Sequence, residues 1–207
     1  MKPIDDAELH SLVQKVVNQV MGTSRPVPGA APATSAPAPS TGAPKPEAPA
    51  AQSAAAVGKV VAIGSDHGGF DLKENLKAYL AELGYDLRDV GAYNKGAVDY
   101  PDFAHEVARL VSIGKAWRGI MIDGAGIGSC IVANKVPGIR AGMAYDYSSA
   151  VNSREHNDTN VLTLGAGLIG INLARQIVKV WLTTEFGGGR HLPRIEKITA
   201  VEKQYLK

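Results

Sequence analysis

Beyond residue 58, short apolar runs alternate with longer stretches of helical period. Residues 59–63 read as a strand and 71–83 as a helix stopped by Gly84; 86–90 read as a short strand, and 102–113 as a helix opened by Pro101. A third strand over 119–122 runs into Gly124-Ala125-Gly126-Ile127-Gly128 and a helix reaching about residue 135. The rhythm continues with a strand at 139–144, a helix at 147–155, a strand at 160–164 and helices at 171–183 and 193–205. Five short strands alternating with helices predict a parallel sheet covered on both faces, an α/β Rossmann-like three-layer sandwich. Ligands of such sheets sit beyond the carboxyl ends of the strands.

The first part of the chain follows another pattern. Leu9, Leu12, Val13, Val16, Val17 and Val20 share one stripe of a helix over 4–21. Asp5 and Glu8 resemble a capping box, and Gly22 supplies a stop. An isolated helix of this length is marginal in water, so its stripe needs a partner. Residues 23–57 cannot provide one within a globule. They hold 8 of the 12 prolines and 12 alanines, the composition of an extended, disordered linker. The chain therefore divides into an isolated amphipathic helix (1–22), a Pro/Ala-rich linker (23–57) and one α/β domain (58–207).

Composition narrows the function classes. A formal net charge of +2 gives no reason to expect a nucleic-acid partner. No apolar run of about 18 residues predicts a membrane span. The N-terminus carries Asp5, Asp6 and Glu8 where a secretory signal would be basic, and the lone Cys130 fits a reducing, cytoplasmic setting.

The candidate chemistry lies at strand ends. Gly64-Ser65-Asp66-His67-Gly68-Gly69-Phe70 leaves the first strand with an acid and an imidazole. The backbone N–H groups of Gly124, Gly126, Ile127 and Gly128 open a helix, where they can hold an oxyanion or phosphate; the glycines alternatively only permit a tight turn. Asp123 precedes that loop, either as a proton-abstracting base or as a cap of the following helix. His156-Asn157-Asp158-Thr159-Asn160 is crowded with hydrogen-bonding groups, and Arg190 and Arg194 stand four residues apart as a phosphate grip. Asp99, beside Pro101, reads as a cap that could also meet the pocket, and Cys130 as a buried, inert thiol. The glycine spacing is not the dinucleotide G-x-G-x-x-G, and no metal-ligand spacing occurs.

With these motifs in their order, residues 59–203 resemble the type B ribose-5-phosphate isomerases and their galactose-6-phosphate and allose-6-phosphate isomerase relatives. Val98-Asp99-Tyr100-Pro101-Asp102, 133–141 and Gly188-Gly189-Arg190-His191 complete the match. The resemblance implies an aldose–ketose isomerase working through an enediolate, without metal or organic cofactor, as a homodimer or homotetramer with sites shared between subunits. It implies that His156 opens the sugar ring with help from Asp66. His67, Arg190 and Arg194 would bind the phosphate, and the glycine loop with Asn157 would stabilise the enediolate. The chain departs from the family at one place: the usual Ile-Cys-Gly-Thr-Gly is Ile122-Asp123-Gly124-Ala125-Gly126, and the glutamate of a second branch is Ser129. Asp123 then stands where the thiol base is expected. A non-catalytic phosphosugar-binding homologue is the alternative reading.

The N-terminal helix and linker resemble an encapsulation peptide, which directs enzymes into the lumen of a bacterial microcompartment. A shell or cargo protein would receive residues 4–21 in a helix-in-groove mode.

Overall fold

The computed structural model describes residues 59–206 and, before them, only Lys15, which is helical and exposed. The expectations for the remainder of 1–22 and for 23–57 lie outside the described residues.

Five parallel strands, β1 (Val60–Ser65), β2 (Asp86–Asp89), β3 (Arg118–Asp123), β4 (Ala141–Met143) and β5 (Val161–Gly165), form one sheet in the order β2-β1-β3-β5-β4. Helices α1 (Phe70–Glu82), α2 (Tyr100–Ser112), α3 (Ile127–Ala133) and α4 (Tyr147–Glu155) connect the strands; α5 (Ile171–Thr183) follows β5, and α6 (Leu192–Tyr205) follows a short 3₁₀ turn at Gly189–His191. The expected α/β architecture is thus present.

Strand pleating sorts the core into two layers. Val61, Ile63, Ile120, Ile122, Leu162 and Leu164 face Leu72, Leu76 and Leu80 of α1 together with Ile177, Val178 and Trp181 of α5. Ala62, Met121 and Val161 face the other way, onto Ala104, Val107, Ala108 and Val111 of α2 and Ala133 of α3. Central strands buried on both faces need near-continuous apolar sequence, which is why β1, β3 and β5 read as unbroken runs.

Element ends differ from the sequence pattern for local reasons. Helix α2 begins at Tyr100 because Pro101 is tolerated in a first turn, where its missing N–H costs nothing. Strand β4 is shorter than the apolar run 139–144. The Ile139 N–H donates to the Val136 carbonyl, and the Arg140 N–H donates to the Asn160 side chain, so pairing starts at Ala141. Helix α4 starts where expected, at a capping box between Asp146 and Ser149.

The order of the strands places the site. β1 feeds α1 on one face and β3 feeds α3 on the other, so the loops leaving these adjacent strands diverge and open a crevice. Asp89 anchors one side of it. Its carboxylate receives Lys73 Nζ at 2.8 Å, Lys77 Nζ at 2.6 Å and the Gly91 N–H at 2.9 Å. Burial alone would raise the Asp89 pKa, but these partners outweigh it and lower the value.

Candidate active site

Two groups of polar residues, at opposite ends of β3, divide the candidate site between them. The first lies at the carboxyl ends of β1 and β3. Asp66 is buried, and one carboxylate oxygen accepts the Gly69 N–H at 2.9 Å; the other has no partner among the described residues. His67 is exposed, with Nδ1 at 3.1 Å from the Val98 oxygen and 3.3 Å from its nitrogen, which ties the imidazole to the loop ahead of α2.

Asp123 is 5% exposed and fully engaged by its own loop. One oxygen accepts the N–H groups of Ala125, at 2.8 Å, and Gly126; the other accepts the Ser129 N–H at 3.1 Å and the Ser129 hydroxyl. Of its two expected roles, this geometry is that of the cap, because every favourable lone-pair direction is already taken. The same bonds alter the expectation for the glycine loop. The Gly126 N–H points inward to Asp123, whereas those of Gly124, Ile127 and Gly128 have no acceptor among the described residues. Those three remain as oxyanion donors at a helix start.

Gly126 has φ +80°, and a Cβ there would press on the Leu164–Gly165 backbone, so glycine is required. At Gly128 a Cβ would collide with the Tyr100 ring, which lies across the start of α3. Tyr100 was not among the candidates read from the sequence. Its place in the motif 98–102 is the available signal, masked by reading Asp99 and Pro101 as a helix start; Asp99 holds the N-cap position but makes no side-chain cap hydrogen bond. Cys130 is half-buried, and burial pushes its thiol pKa up, consistent with an inert thiol.

The second group lies at the amino ends of the strands. His156 is the C-cap of α4, and its ring stacks on that of His191 with centroids 4.1 Å apart. Asn152 contacts His156 Nδ1 at 2.8 Å, and Asn157 donates to the Asn152 backbone carbonyl at 3.3 Å. Burial, followed by His156, Arg190 and Arg194, lowers the His191 pKa, which Glu155 partly offsets. Arg190 Nε donates to His191 Nε2 at 3.4 Å, and neither Arg190 nor Arg194 has an acidic partner among the described residues. Exposed, unpaired guanidinium groups beside two imidazoles suit a phosphate.

Buried arginines hold this second group in place. Arg118, the first residue of β3, donates to the Trp181 and Leu182 carbonyls at 2.7 and 3.0 Å. Burial and then the nearby Arg154 push its pKa down to about 10. Arg154 donates to Thr184 at 3.2 Å and pairs with Asp158 at 2.8 Å; Arg140 takes the other Asp158 oxygen at 2.7 Å. Asp158 has φ +45°, so these arginines bracket a left-handed turn directly behind His156 and Asn157. An open cavity of about 490 Å³ lies alongside, between α6 and the β4 edge, lined by Arg140, Ser153, Asn157, Thr159, Val201 and Tyr205.

The structure therefore brings Asp66, His67, Gly124, Ile127 and Gly128 together, and separately His156, Asn157, Arg190 and Arg194. It does not bring the two sets together within one chain: a six-residue strand, about 17 Å long, separates them.

Comparison with known proteins gives a concordant result. The family model described as Ribose/Galactose Isomerase matches residues 61–198. Ribose-5-phosphate isomerase B of Escherichia coli is 45% identical over 146 residues, covering 70% of this chain and 98% of that protein. D-erythrulose-4-phosphate isomerase of Pectobacterium atrosepticum is 43% identical over 145 residues, covering 70% and 95%. The ribose-5-phosphate isomerase B structure from Clostridium thermocellum superposes with a TM-score of 0.70 at 49% identity, covering 70% of this chain and 99% of that one. A Mycoplasma genitalium ribose-5-phosphate isomerase B, solved with bound ribulose-5-phosphate, gives a TM-score of 0.69 at 36% identity, covering 72% and 99%. With its α/β unit matched from end to end by these relatives, the chain belongs to the ribose/galactose isomerase family and is a sugar-phosphate isomerase.

Proposed function

We propose that this protein interconverts ribose 5-phosphate and ribulose 5-phosphate at sites completed between two copies of the chain. The observation that carries this reading is the division of the site along β3. One end offers a carboxylate and free N–H donors; the other offers imidazoles and unpaired arginines. A second copy, docking its arginine-bearing end over the first copy's glycine loop, supplies what each end lacks. Apolar side chains suited to such docking flank both ends: Ile127 and Ile131 on α3, and Ile198, Val201 and Tyr205 on α6, all exposed.

In the assembled site, His67, Arg190 and Arg194 bind the phosphate. His156 and Asp66 open the furanose ring, and Asn157 with the N–H groups of Gly124, Ile127 and Gly128 stabilises the enediolate oxygen. Such preorganised donors are worth about 3 kcal/mol of barrier apiece where measured in other enzymes. Asp123 occupies the position of the family's cysteine, and in this reading it holds the loop in shape. The purified full-length chain is expected to convert ribose 5-phosphate to ribulose 5-phosphate without added cofactor. Phosphosugar binding without turnover would instead identify a binding homologue.

We further propose that residues 4–21 deliver the enzyme to a bacterial microcompartment. Support comes from the single apolar stripe Leu9, Leu12, Val13, Val16, Val17 and Val20 on a long Pro/Ala tether. Fused to a fluorescent protein, residues 1–22 are expected to give punctate signal in a compartment-forming cell. Diffuse signal there would reject the proposal.

A further inference from the structure

We propose that Asp66, and not the residue at the family's cysteine position, is the base that moves the proton between C1 and C2. This inference rests on the isomerase reading above and specifies its central step.

Two carboxylates stand at the crevice, and their surroundings differ. Asp123 accepts four hydrogen bonds from its own loop and from Ser129, and has no lone pair left for a substrate proton. Asp66 accepts one, from the Gly69 N–H, and its second oxygen is open. The space over Gly68 decides the matter. The point that a side chain on Gly68 would fill lies 3.9 Å from the open Asp66 oxygen, 3.4 Å from the one that accepts the Gly69 N–H, and 3.8 Å from the Gly124 nitrogen. The Gly124 N–H has no acceptor among the described residues. A free carboxylate oxygen and a free N–H donor thus flank one vacant position, the arrangement that proton abstraction beside a carbonyl needs. Thr, the family residue replaced by Ala125, is not required for it.

The step balances without a co-reactant. Asp66 takes the proton from C2, the C–H pair becomes the C1=C2 bond, and the carbonyl π pair moves onto O1, which faces the Gly124 N–H. The O2 proton passes to O1 across the cis-enediol as the C2 carbonyl forms. Protonated Asp66 returns its proton to C1.

Ring chemistry gives the test. Ribose 5-phosphate closes a furanose ring through O4. Ribulose 5-phosphate cannot close one, because the hydroxyl it would need carries the phosphate. A residue that only opens rings is therefore dispensable when the reaction starts from the ketose. Consumption of each sugar would be followed for wild type, Asp66→Asn and Asp123→Asn, all full-length and with retained fold checked by circular dichroism. In Asp66→Asn the side-chain oxygen can still accept the Gly69 N–H; if that variant does not fold, Asp66→Ser is measured instead.

The expected result is a loss of about 10³-fold on both sugars at Asp66, in the range of general-base catalysis, with a much smaller loss at Asp123. Near wild-type consumption of ribulose 5-phosphate by Asp66→Asn would confine Asp66 to ring opening and overturn the proposal. An equal or larger loss on both sugars in folded Asp123→Asn would return the base to Asp123. A folded wild type inactive on both sugars would fail earlier, at the isomerase reading itself.

Discussion

Two inactive variants, refolded together, are expected to recover activity if each site is completed by a second copy of the chain. One chain carries Asp66→Asn and the other lacks both Arg190 and Arg194, so each is disabled at a different end of β3. Random pairing of equal amounts makes about half the dimers mixed, each with one intact site of two, so about a quarter of wild-type turnover returns. The control pairs Asp66→Asn with His67→Ala. Both lie at the same end, no pairing assembles an intact site, and no activity returns. Absence of recovery in the first pair would show that each site is built from a single chain. The expected gain, from background to about a quarter of full rate, is far larger than any effect of altered folding yield.

Asp123→Ala carries the second large effect, and here it falls on stability. The buried carboxylate satisfies the N–H groups of Ala125, Gly126 and Ser129 and the Ser129 hydroxyl. Alanine leaves these donors unsatisfied inside the fold. Charge-assisted bonds contribute about 1.5–3 kcal/mol each and are not additive, so a total loss of about 3–5 kcal/mol is expected. For a domain of this size that lowers Tm by on the order of 10 °C. Thermal and urea unfolding would measure it. A Tm within 2 °C of wild type, about the shift that 1 kcal/mol produces, would mean that the loop keeps its shape without the anchor.

The sequence made the sheet legible wherever burial on both faces forces apolar runs, as in Val60–Ser65 and Arg118–Asp123. Helix α5 was legible at both ends, since its stripe of Ala174, Ile177, Val178 and Trp181 has a clean helical period. The 3₁₀ turn at Gly189–His191 was not, because three residues are too few for any period to register. Within the site, the residue types were legible and their partners were not. Asp123 as cap and Asp123 as base have the same sequence, and the four donors around its carboxylate are visible only in the fold. Lys73 reads as the polar face of a helix, yet it is fully buried because Asp89 neutralises it from a strand 16 residues away. The left-handed turn at Asp158 is bracketed by Arg154, four residues earlier, and by Arg140, which lies 18 residues away and which no local pattern could assign to it.

Helix α6 has a mechanical consequence. Among the described residues, its substantial contact with another element is the turn at its own start, and at its far end Glu202 accepts the Gly138 N–H at 2.8 Å. It is a beam about 20 Å long, seated at one end and moored at the other by one bond. A tilt of about 10° would carry the far end about 3.5 Å, but Arg194, in the first turn, only about 0.5 Å. The guanidinium groups thus sit beside the fulcrum. Whatever swings at the C-terminus, the anchoring point for an anion stays nearly still, and differences in ligand length must be absorbed elsewhere.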